Sequence, residues 1–438
     1  MIENKIAMDS EEDSAGLGIK EAIKEANRCL NCKVPQCKEG CPISNDIPEF
    51  IAALGHGNIG EASKVIARKS NLPAVCGRVC AHELQCEGHC ILTKAGKGIR
   101  VGQLERFIAD FAFQMALPLD GVPQKTRGKV AVIGSGPAGL TVAGDLAKIG
   151  FGVTVYESLP EPGGIMLYGI PAFRLPKEIV RREIVRIEAL GVKIICNSMV
   201  GRDTTVDQMF EEGFDAVFIG SGTAVAKDLD LPGKELNGII QSSYLLRMNT
   251  LFNEGQLGRE EVPVSKGDEV LVIGAGNVGM DAARTAIRLG AASVTVLYRG
   301  QQDKMPALKA EYEAALADGV KFMWNVTPTA YEGTDGKFFG LRVNRDGEDT
   351  MLPANKVFLA VGSKPANRIV STTTGIDVDK DGYVISRQRP YGMTTRKGVF
   401  AGGDVVHRPA TVVLAMKEAK QVAVGIAEYI DAVKLLEL

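Results

Sequence analysis

Residues 130–140 read V-A-V-I-G-S-G-P-A-G-L: four apolar residues, then Gly134, Gly136 and Gly139 in the spacing G-x-G-x-x-G. A helical pattern follows over 140–148, and a second apolar strand over 152–156 ends on Glu157, 18 residues past Gly139. Strand, glycine turn, helix and strand in that order predict a βαβ unit. The glycines permit a tight turn and let a pyrophosphate approach the helix N-terminus, where unpaired N–H groups and the helix dipole favour an anion. An acid ending the second strand accepts hydrogen bonds from ribose hydroxyls and repels a 2′-phosphate. This copy therefore suits FAD or NAD rather than NADP. The bland alternative, a structural βα turn, has to account for strand, helix and acid together.

The pattern recurs about 140 residues later as V-L-V-I-G-A-G-N-V-G-M (270–280), with Gly274, Gly276 and Gly279. Here the second strand, 293–298, runs into Arg299 instead of an acid. An arginine in that position pairs with an adenosine 2′-phosphate and favours NADP, although a solvated strand end is the other reading of a single arginine. Two further segments resemble each other, D-A-V-F-I-G-S-G-T-A (215–224) and K-V-F-L-A-V-G-S-K-P (356–365), each a buried strand entering a glycine turn. Near the C-terminus, G-V-F-A-G-G-D-V (398–405) places Asp404 at a strand end before Thr411 and a helix through Met416 and Val422. Such a carboxylate bonds flavin ribityl hydroxyls. A helix start at 410–412 stabilises negative charge on a reduced flavin. With the first fingerprint, this makes FAD the favoured ligand.

The first 125 residues are of another kind. Eight of the nine cysteines fall between Cys29 and Cys90, spaced Cys29-x2-Cys32-x4-Cys37-x3-Cys41-Pro42 and Cys76-x3-Cys80-x5-Cys86-x3-Cys90. Such local density suits metal chelation better than disulfides. Zinc stays open for any C-x-x-C. The Cys-Pro pair, however, is similar to clustered ferredoxin-type ligation, and eight thiols beside a flavin have an electron-transfer rationale that redox-silent zinc lacks. Between the cysteine groups, Ile47, Phe50, Ile51 and Leu54 recur at helical spacing, with Asp46 as N-cap and Pro48 just inside. A second amphipathic stretch runs over 101–113, and the Pro/Gly-rich 117–128 reads as a linker. His56, His82, His89 and His407 show no metal spacing and read as surface or packing residues; Cys196 reads as a buried small hydrophobe. A redox C-x-x-C in the nicotinamide domain, or a cysteine pair just after the first fingerprint, is absent, so electrons need another exit.

Composition sets the outer bounds. The chain has 438 residues, enough for roughly three domains. Its 51 Lys and Arg against 53 Asp and Glu leave no basic stripe for nucleic acid. Its 50 glycines are about 11 % of the chain against about 7 % ordinarily. No apolar run reaches membrane-span length, and the acidic start M-I-E-N-K-I-A-M-D-S-E-E-D fits neither transit nor secretory peptides, so a cytoplasmic location is expected.

Taken together, R-C-L-N-C-K-V-P-Q-C-K-E-G-C-P (28–42), V-C-G-R-V-C-A-H-E-L-Q-C-E-G-H-C (75–90), G-S-G-P-A-G (134–139), P-G-G-I-M-L-Y-G-I-P-A-F-R-L-P-K (162–177), G-A-G-N-V-G-M-D-A-A-R-T-A (274–286) and A-G-G-D-V (401–405) carry a resemblance. The chain resembles the small (beta) subunit family of NADPH-dependent glutamate synthase. That family's relatives include the N-terminal half of dihydropyrimidine dehydrogenase and the large subunit of electron-bifurcating NADH-dependent ferredoxin:NADP oxidoreductase. The stretches 91–110 and 297–307 look most like the bifurcating type. It departs from the family at Ala81, where a proline is usual, and at Arg299-Gly300, where two arginines are usual.

The resemblance implies an α/β chain with a helical double [4Fe–4S] domain over 1–125, followed by two Rossmann-like domains of the disulfide-reductase type. The FAD-binding domain would take 126–240 and 371–438, and the NAD(P)H-binding domain 241–370. FAD would lie at Gly134, Gly136, Pro137, Ala138, Glu157, Gly164, Gly403, Asp404, Thr411 and Val412. NADP(H) would lie at Gly276, Asn277, Val278, Arg299 and Gly362. The cysteine groups would interleave, with Cys29, Cys32, Cys37 and Cys90 on one cluster and Cys41, Cys80, Cys86 and Glu105 on the other. Cys76 would then be a packing residue. The implied activity moves electrons between NADPH, FAD and two clusters, to or from a partner protein in a hetero-oligomer, with no catalytic side chain needed for hydride transfer. A glutamate synthase small subunit feeding an amidotransferase subunit is the competing enzyme reading. A zinc-stapled nucleotide-binding scaffold is the non-enzymatic one.

Overall fold

The apolar runs that precede the two glycine fingerprints become central strands of two separate parallel sheets. A computed structural model describes Glu12, residues 15–118 and residues 121–436. It divides into two compact units: residues 15–167, 177–225 and 364–436 in the larger, and Tyr168–Pro176 with Ala226–Ser363 in the smaller.

The larger unit holds a seven-stranded sheet in the order Ser386–Gln388, Tyr391–Thr394, Val399–Ala401, Ala216–Ile219, Gly128–Ile133, Phe151–Tyr156, Lys193–Ile195. From Val399–Ala401 onward the pairs are parallel. Val130, Ala131 and Val132 are fully buried. A strand covered on both faces has no polar side to show, which is why its sequence does not alternate. Ile133 stands level with Tyr156 on one side and Ile219 on the other, and Ile219 with Ala401. The loops that follow these four residues therefore leave one edge together, the carboxyl edge where open α/β sheets bind ligands.

The cysteine-rich segment belongs to this unit. Its helices Ile47–Gly55 and Val101–Gln114 pack Phe50, Ile51 and Leu54 with Leu104 and Ile108 in one core. Asp46 precedes the first of these, but its carboxylate takes the Lys38 ammonium at 2.5 Å and makes no cap, so the expected N-cap is a salt bridge instead. The segment seats on the fingerprint helix Pro137–Lys148. Asn71 donates to Asp145 (2.8 Å) and to Thr141 O, and Lys148 donates to Ala67 O at 2.6 Å. Linker 117–128 therefore separates these regions in sequence and not in space; residues 119–120 lie outside the described chain.

The smaller unit has a parallel sheet ordered Ile239–Gln241, Lys356–Leu359, Glu269–Ile273, Ser293–Tyr298, Lys321–Trp324, and an antiparallel one of Val326–Thr334, Lys337–Arg345 and Glu348–Pro353. Its limits fall earlier than the divisions at 240/241 and 370/371, because Ile239–Gln241 pairs with Val357–Leu359 and belongs to this sheet. It also claims the short segment around Phe173. Arg174 meets Asp281 with two contacts of 3.0 and 2.8 Å and Glu311 at 2.8 Å, while Arg284 and Arg288 lie 4.4 and 4.2 Å from the Phe173 ring centre. Breaking one partner of so buried a pair costs about 3–5 kcal/mol.

Cys196 follows the outermost strand of the larger sheet and is half-buried, less enclosed than its apolar neighbours implied. No described helix is long and apolar enough to cross a membrane.

Helix Pro73–Val79 has no cap from its own Leu72; the Ala74 N–H is instead taken by Glu183, 2.5 Å away on helix Lys177–Glu188. Burial pushes that carboxyl up to about 7, against the pull of Arg186 and the Ala74 N–H. Between about pH 4.5 and 7 the unfolded chain binds fewer protons at this group, so stability falls as pH rises through that window. Glu183→Gln keeps the acceptor and removes the charge. Melting curves should show the variant equal to wild type near pH 4.5 and about 1–3 kcal/mol more stable at pH 8; parallel pH profiles would refute it.

Candidate cofactor sites

Three stretches distant in sequence meet at the start of helix Pro137–Lys148. A side chain on Gly139 would stand 1.9 Å from Gly134 O, so the turn closes only with glycine there. A Cβ on Gly164 would meet the Gly136 backbone at 2.9 Å, and one on Gly403 the Ala138 Cβ at 2.8 Å. A Cβ on Gly136, by contrast, would meet nothing within 4 Å, which leaves the helix start open to a ligand. Glu157 is buried beneath this loop. Its Oε2 accepts from Ser135 N (3.0 Å) and Ser135 Oγ (2.5 Å), and its Oε1 from Leu159 N (2.8 Å) and Ser158 Oγ (3.1 Å). A carboxylate offers about four lone-pair sites, so with these four donors Glu157 braces the fingerprint itself.

Asp404 sits in a short 3-10 turn, Gly403–Val405, where burial pushes its carboxyl up to about 6 against the Ala410 N–H and His407. Thr411 precedes the long helix Val412–Leu436, and its buried hydroxyl has no hydrogen-bond partner among the described residues. An open helix start, a half-buried acid and an orphaned hydroxyl at one sheet edge fit a flavin dinucleotide.

The second fingerprint repeats the device: a Cβ on Gly279 would stand 2.0 Å from Gly274 O. Gly276 caps helix Asn277–Arg288, and Val278 is exposed at its first turn. Asn277 turns its Oδ1 to the Leu308 N–H at 3.0 Å and braces the neighbouring loop. Arg299 is exposed and, among the described residues, makes no ion pair. Gly362, at φ 97°, follows the adjacent strand. Tyr298 places its ring 6.2 Å from that of Trp324, and the Asn325 N–H donates to Gly300 O at 3.1 Å. The single tryptophan therefore stands beside the strand end that carries Arg299.

The cysteines surround two cavities. One, of about 580 Å³, is bordered by Cys29, Cys32, Cys37 and Cys90 with Ile47 and Ile51. The other, of about 350 Å³, is bordered by Cys41, Cys76, Cys80, Cys86, Glu105 and His82. Each space is walled by several thiols at once, the donor arrangement a polynuclear metal group requires. Burial, then the neighbouring thiols Cys29 and Cys90, push Cys37 up to about 11; burial and Glu105 push Cys41 to about 11. Cys86 is raised further by burial, and Cys80 by its hydrogen bond to Cys76. Thiols packed together in low dielectric need a metal's positive charge to become thiolates. That donor chemistry fits iron–sulfur clusters.

The second cavity has one donor too many for simple counting. Cys76 Sγ lies 3.6 Å from Met416 Sδ as well as against Cys80, so it is a contact between helices and a wall of the cavity at once. Glu105 is buried, is touched by Asn45 at 3.4 Å, and is pushed up to about 8 by burial and Glu183. His82, expected at surface or in packing, lines this cavity. Its ring bonds the Cys76 backbone, and its Nε2 is buried without a partner among the described residues. Val413 completes the wall, which brings the start of helix Val412–Leu436 to the cavity as well.

Comparison with known proteins agrees with this division. Residues 7–117 match the family described as dihydropyrimidine dehydrogenase domain II, 4Fe-4S cluster, and residues 128–419 match pyridine nucleotide-disulphide oxidoreductase. The glutamate synthase [NADPH] small chain of Halomonas elongata is 36% identical across 94% of this chain and 91% of that one. Its Escherichia coli K12 counterpart is 34% identical across 94% and 92%. The NAD-dependent dihydropyrimidine dehydrogenase subunit PreT of Salmonella typhimurium is 36% identical across 94% of each. Among solved structures, T. acidophilum thioredoxin reductase superposes with TM-score 0.53 at 22% identity, covering 69% of this chain and 98% of that one. Mycobacterium tuberculosis FprA gives 0.58 at 19%, covering 70% and 85%. These two share the fold alone. The expected order, an iron–sulfur segment followed by Rossmann-like domains, is what the matches and the sheets show, and the chain is a flavoprotein-type oxidoreductase.

NADP⁺ titration should change Trp324 emission. Arg299→Ala should weaken NADP⁺ about ten- to a hundredfold, as losing a charge-assisted contact worth about 1.5–3 kcal/mol requires, and leave NAD⁺ nearly unchanged. Equal loss for both dinucleotides would remove the 2′-phosphate role.

Proposed function

The chain belongs to the glutamate synthase small-chain family, and from that premise we propose that it is an electron-transferring subunit that exchanges electrons between NADPH and a protein partner through FAD and two [4Fe–4S] clusters. One observation carries the reading: helix Val412–Leu436 begins at the proposed flavin edge, lends Val413 to the second cysteine cavity and touches Cys76 through Met416. A single helix start thus borders both redox sites of one compact unit. When bound, FAD converts two-electron hydride chemistry into single electrons, and the clusters carry those singly.

The residues supply position and charge. Arg299 is assigned to the 2′-phosphate, and the open turn at Gly276 to the pyrophosphate. The starts of the helices at Pro137 and Val412, with Gly164 and Gly403 behind them, hold FAD, while Glu157 keeps the fingerprint turn in shape and Asp404 and Thr411 take polar groups of the ligand. Cys29, Cys32, Cys37 and Cys90 hold the first cluster. Cys41, Cys80 and Cys86 hold the second with Glu105, a harder ligand that sets its potential apart. The cavity walls support this division. A glutamate synthase small subunit delivering electrons to an amidotransferase partner is the second reading, favoured by the 36% and 34% identities across nine-tenths of each chain. The 4Fe-4S family match favours clusters over the zinc-stapled scaffold.

Purified holoprotein should be brown, and anaerobic NADPH should bleach its visible absorbance; a colourless, zinc-containing protein would end the proposal. Asp404→Ala should lower FAD content while leaving iron unchanged. The fourth ligand is tested by iron analysis with EPR. Cys76→Ser should keep about eight irons per chain, and Glu105→Ala should lose or perturb one cluster only. The reverse pattern assigns the site to Cys76.

A further inference from the structure

The strand Ser293–Tyr298 ends one residue before Arg299, and the position after that arginine is glycine. A Cβ on Gly300 would stand 2.9 Å from Cε1 of Tyr298. The ring has little freedom to yield. It meets Trp324 edge to face at 6.2 Å, and Trp324 stacks on Phe322 at 5.5 Å with the planes 11° apart. Overlap with a ring packed in this way is relieved only by shifting the ring or the backbone. Tyr298 thus occupies the space from which a second side chain would leave the strand end.

Beyond Gly300 the chain folds back against the strand it has just left. The Tyr298 hydroxyl donates to Lys304 O at 2.9 Å and holds the single 3-10 turn Gln302–Lys304 in place. Further on, the Ala307 N–H donates to Ala275 O at 3.1 Å, and Pro306 lies 3.9 Å from where a Gly276 Cβ would stand. Segment 301–308 therefore runs from the strand end that carries Arg299 to the glycine turn, tied down at both ends. Lys304 is exposed on it and, among the described residues, has no ion-pair partner, whereas Lys309 meets Glu313 at 3.6 Å. Asp303 is the exposed acid of the same turn.

A phosphate monoester carries about 1.5 to 2 negative charges near pH 7. One guanidinium offsets at most one of them. The dinucleotide without the 2′-phosphate presents a neutral hydroxyl at that place, so a further cation there favours the phosphorylated form alone.

We propose that Lys304 supplies the second positive charge at the adenosine 2′-phosphate, with the Tyr298 hydroxyl as its positioning group. The proposal rests on reading the second fingerprint as the NADP(H) site.

Calorimetric titration of the oxidised holoprotein with NADP⁺ and with NAD⁺ tests it. Lys304→Gln should weaken NADP⁺ about tenfold and spare NAD⁺, and Lys304→Arg should restore the wild-type affinity. Tyr298→Phe keeps the ring and removes the hydroxyl, and should weaken NADP⁺ about two- to fivefold, again sparing NAD⁺. Adenosine 2′,5′-bisphosphate and 5′-AMP, which lack the nicotinamide half, should show the same split and so locate the effect at the phosphate. Iron and FAD contents at wild-type values report that each variant is folded. If wild type binds the two dinucleotides equally and Arg299→Ala discriminates neither, the NADP(H) reading fails and the role of Lys304 falls with it. If Arg299→Ala weakens NADP⁺ selectively while Lys304→Gln does not, the role of Lys304 alone is overturned. Equal loss of both dinucleotides in Lys304→Gln would make the segment a general brace and would likewise overturn it.

Discussion

The architecture of the larger unit hangs on the parallel register of its central strands. Gly134, Gly220 and Gly402 each continue the ladder one residue past the strand, donating to Tyr156, Ile133 and Ile219 in turn. That continuation fixes the height at which three loops leave the sheet. A slip of one residue would turn every side chain of a strand to the opposite face and carry a loop away from the helix starts at Pro137 and Val412. The buried, non-alternating strands resist such a slip because both faces are packed. Binding geometry is thus a by-product of core packing, and no binding residue has to hold itself in place.

Buried charge around Phe173 and around the second cysteine cavity is handled in different ways. Around Phe173 every buried cation has a carboxylate in reach, Arg174 with Asp281 and Glu311, Arg284 with Asp318 at 2.8 Å. Such a network offsets its own desolvation and reads as structural. In the cysteine region the buried acids Glu105 and Glu183 and the thiols of Cys37, Cys41 and Cys86 are shifted toward their neutral forms, with burial as the largest cause. Perturbation of that kind marks a functional site, here one whose compensating charge arrives with iron.

Much of this was legible because it is local. G-x-G-x-x-G with its flanking strands is a short-range pattern, and helical periodicity placed Ile47, Phe50, Ile51 and Leu54 correctly in the core. What escaped depends on partners distant in the chain. Asp46 has a cap residue's identity and position, but the competing ammonium of Lys38 takes its carboxylate. The strand Ile239–Gln241 is three residues long and acquires meaning only beside Val357–Leu359. Nothing in F-R near 173 announces the arginines and acids of residues 281–318. His82 and Cys76 border a cavity whose far wall is Val413, more than three hundred residues on, so their setting is a property of the folded chain.

The interleaving of the two units has a consequence for the order of assembly. The strand Val399–Ala401 sits next to Ala216–Ile219, and Val413 walls the cavity that Cys41 and Cys80 border. The ribosome delivers the cysteines first and these pieces last, on the order of ten seconds or more apart at ordinary elongation rates. Over that interval the first cavity has all of its walls, since every residue around it precedes residue 102, while the second stands open on one side. Vectorial synthesis therefore gives the two cysteine cavities a built-in seniority: one is complete while the chain is still growing, the other only when the last long helix closes.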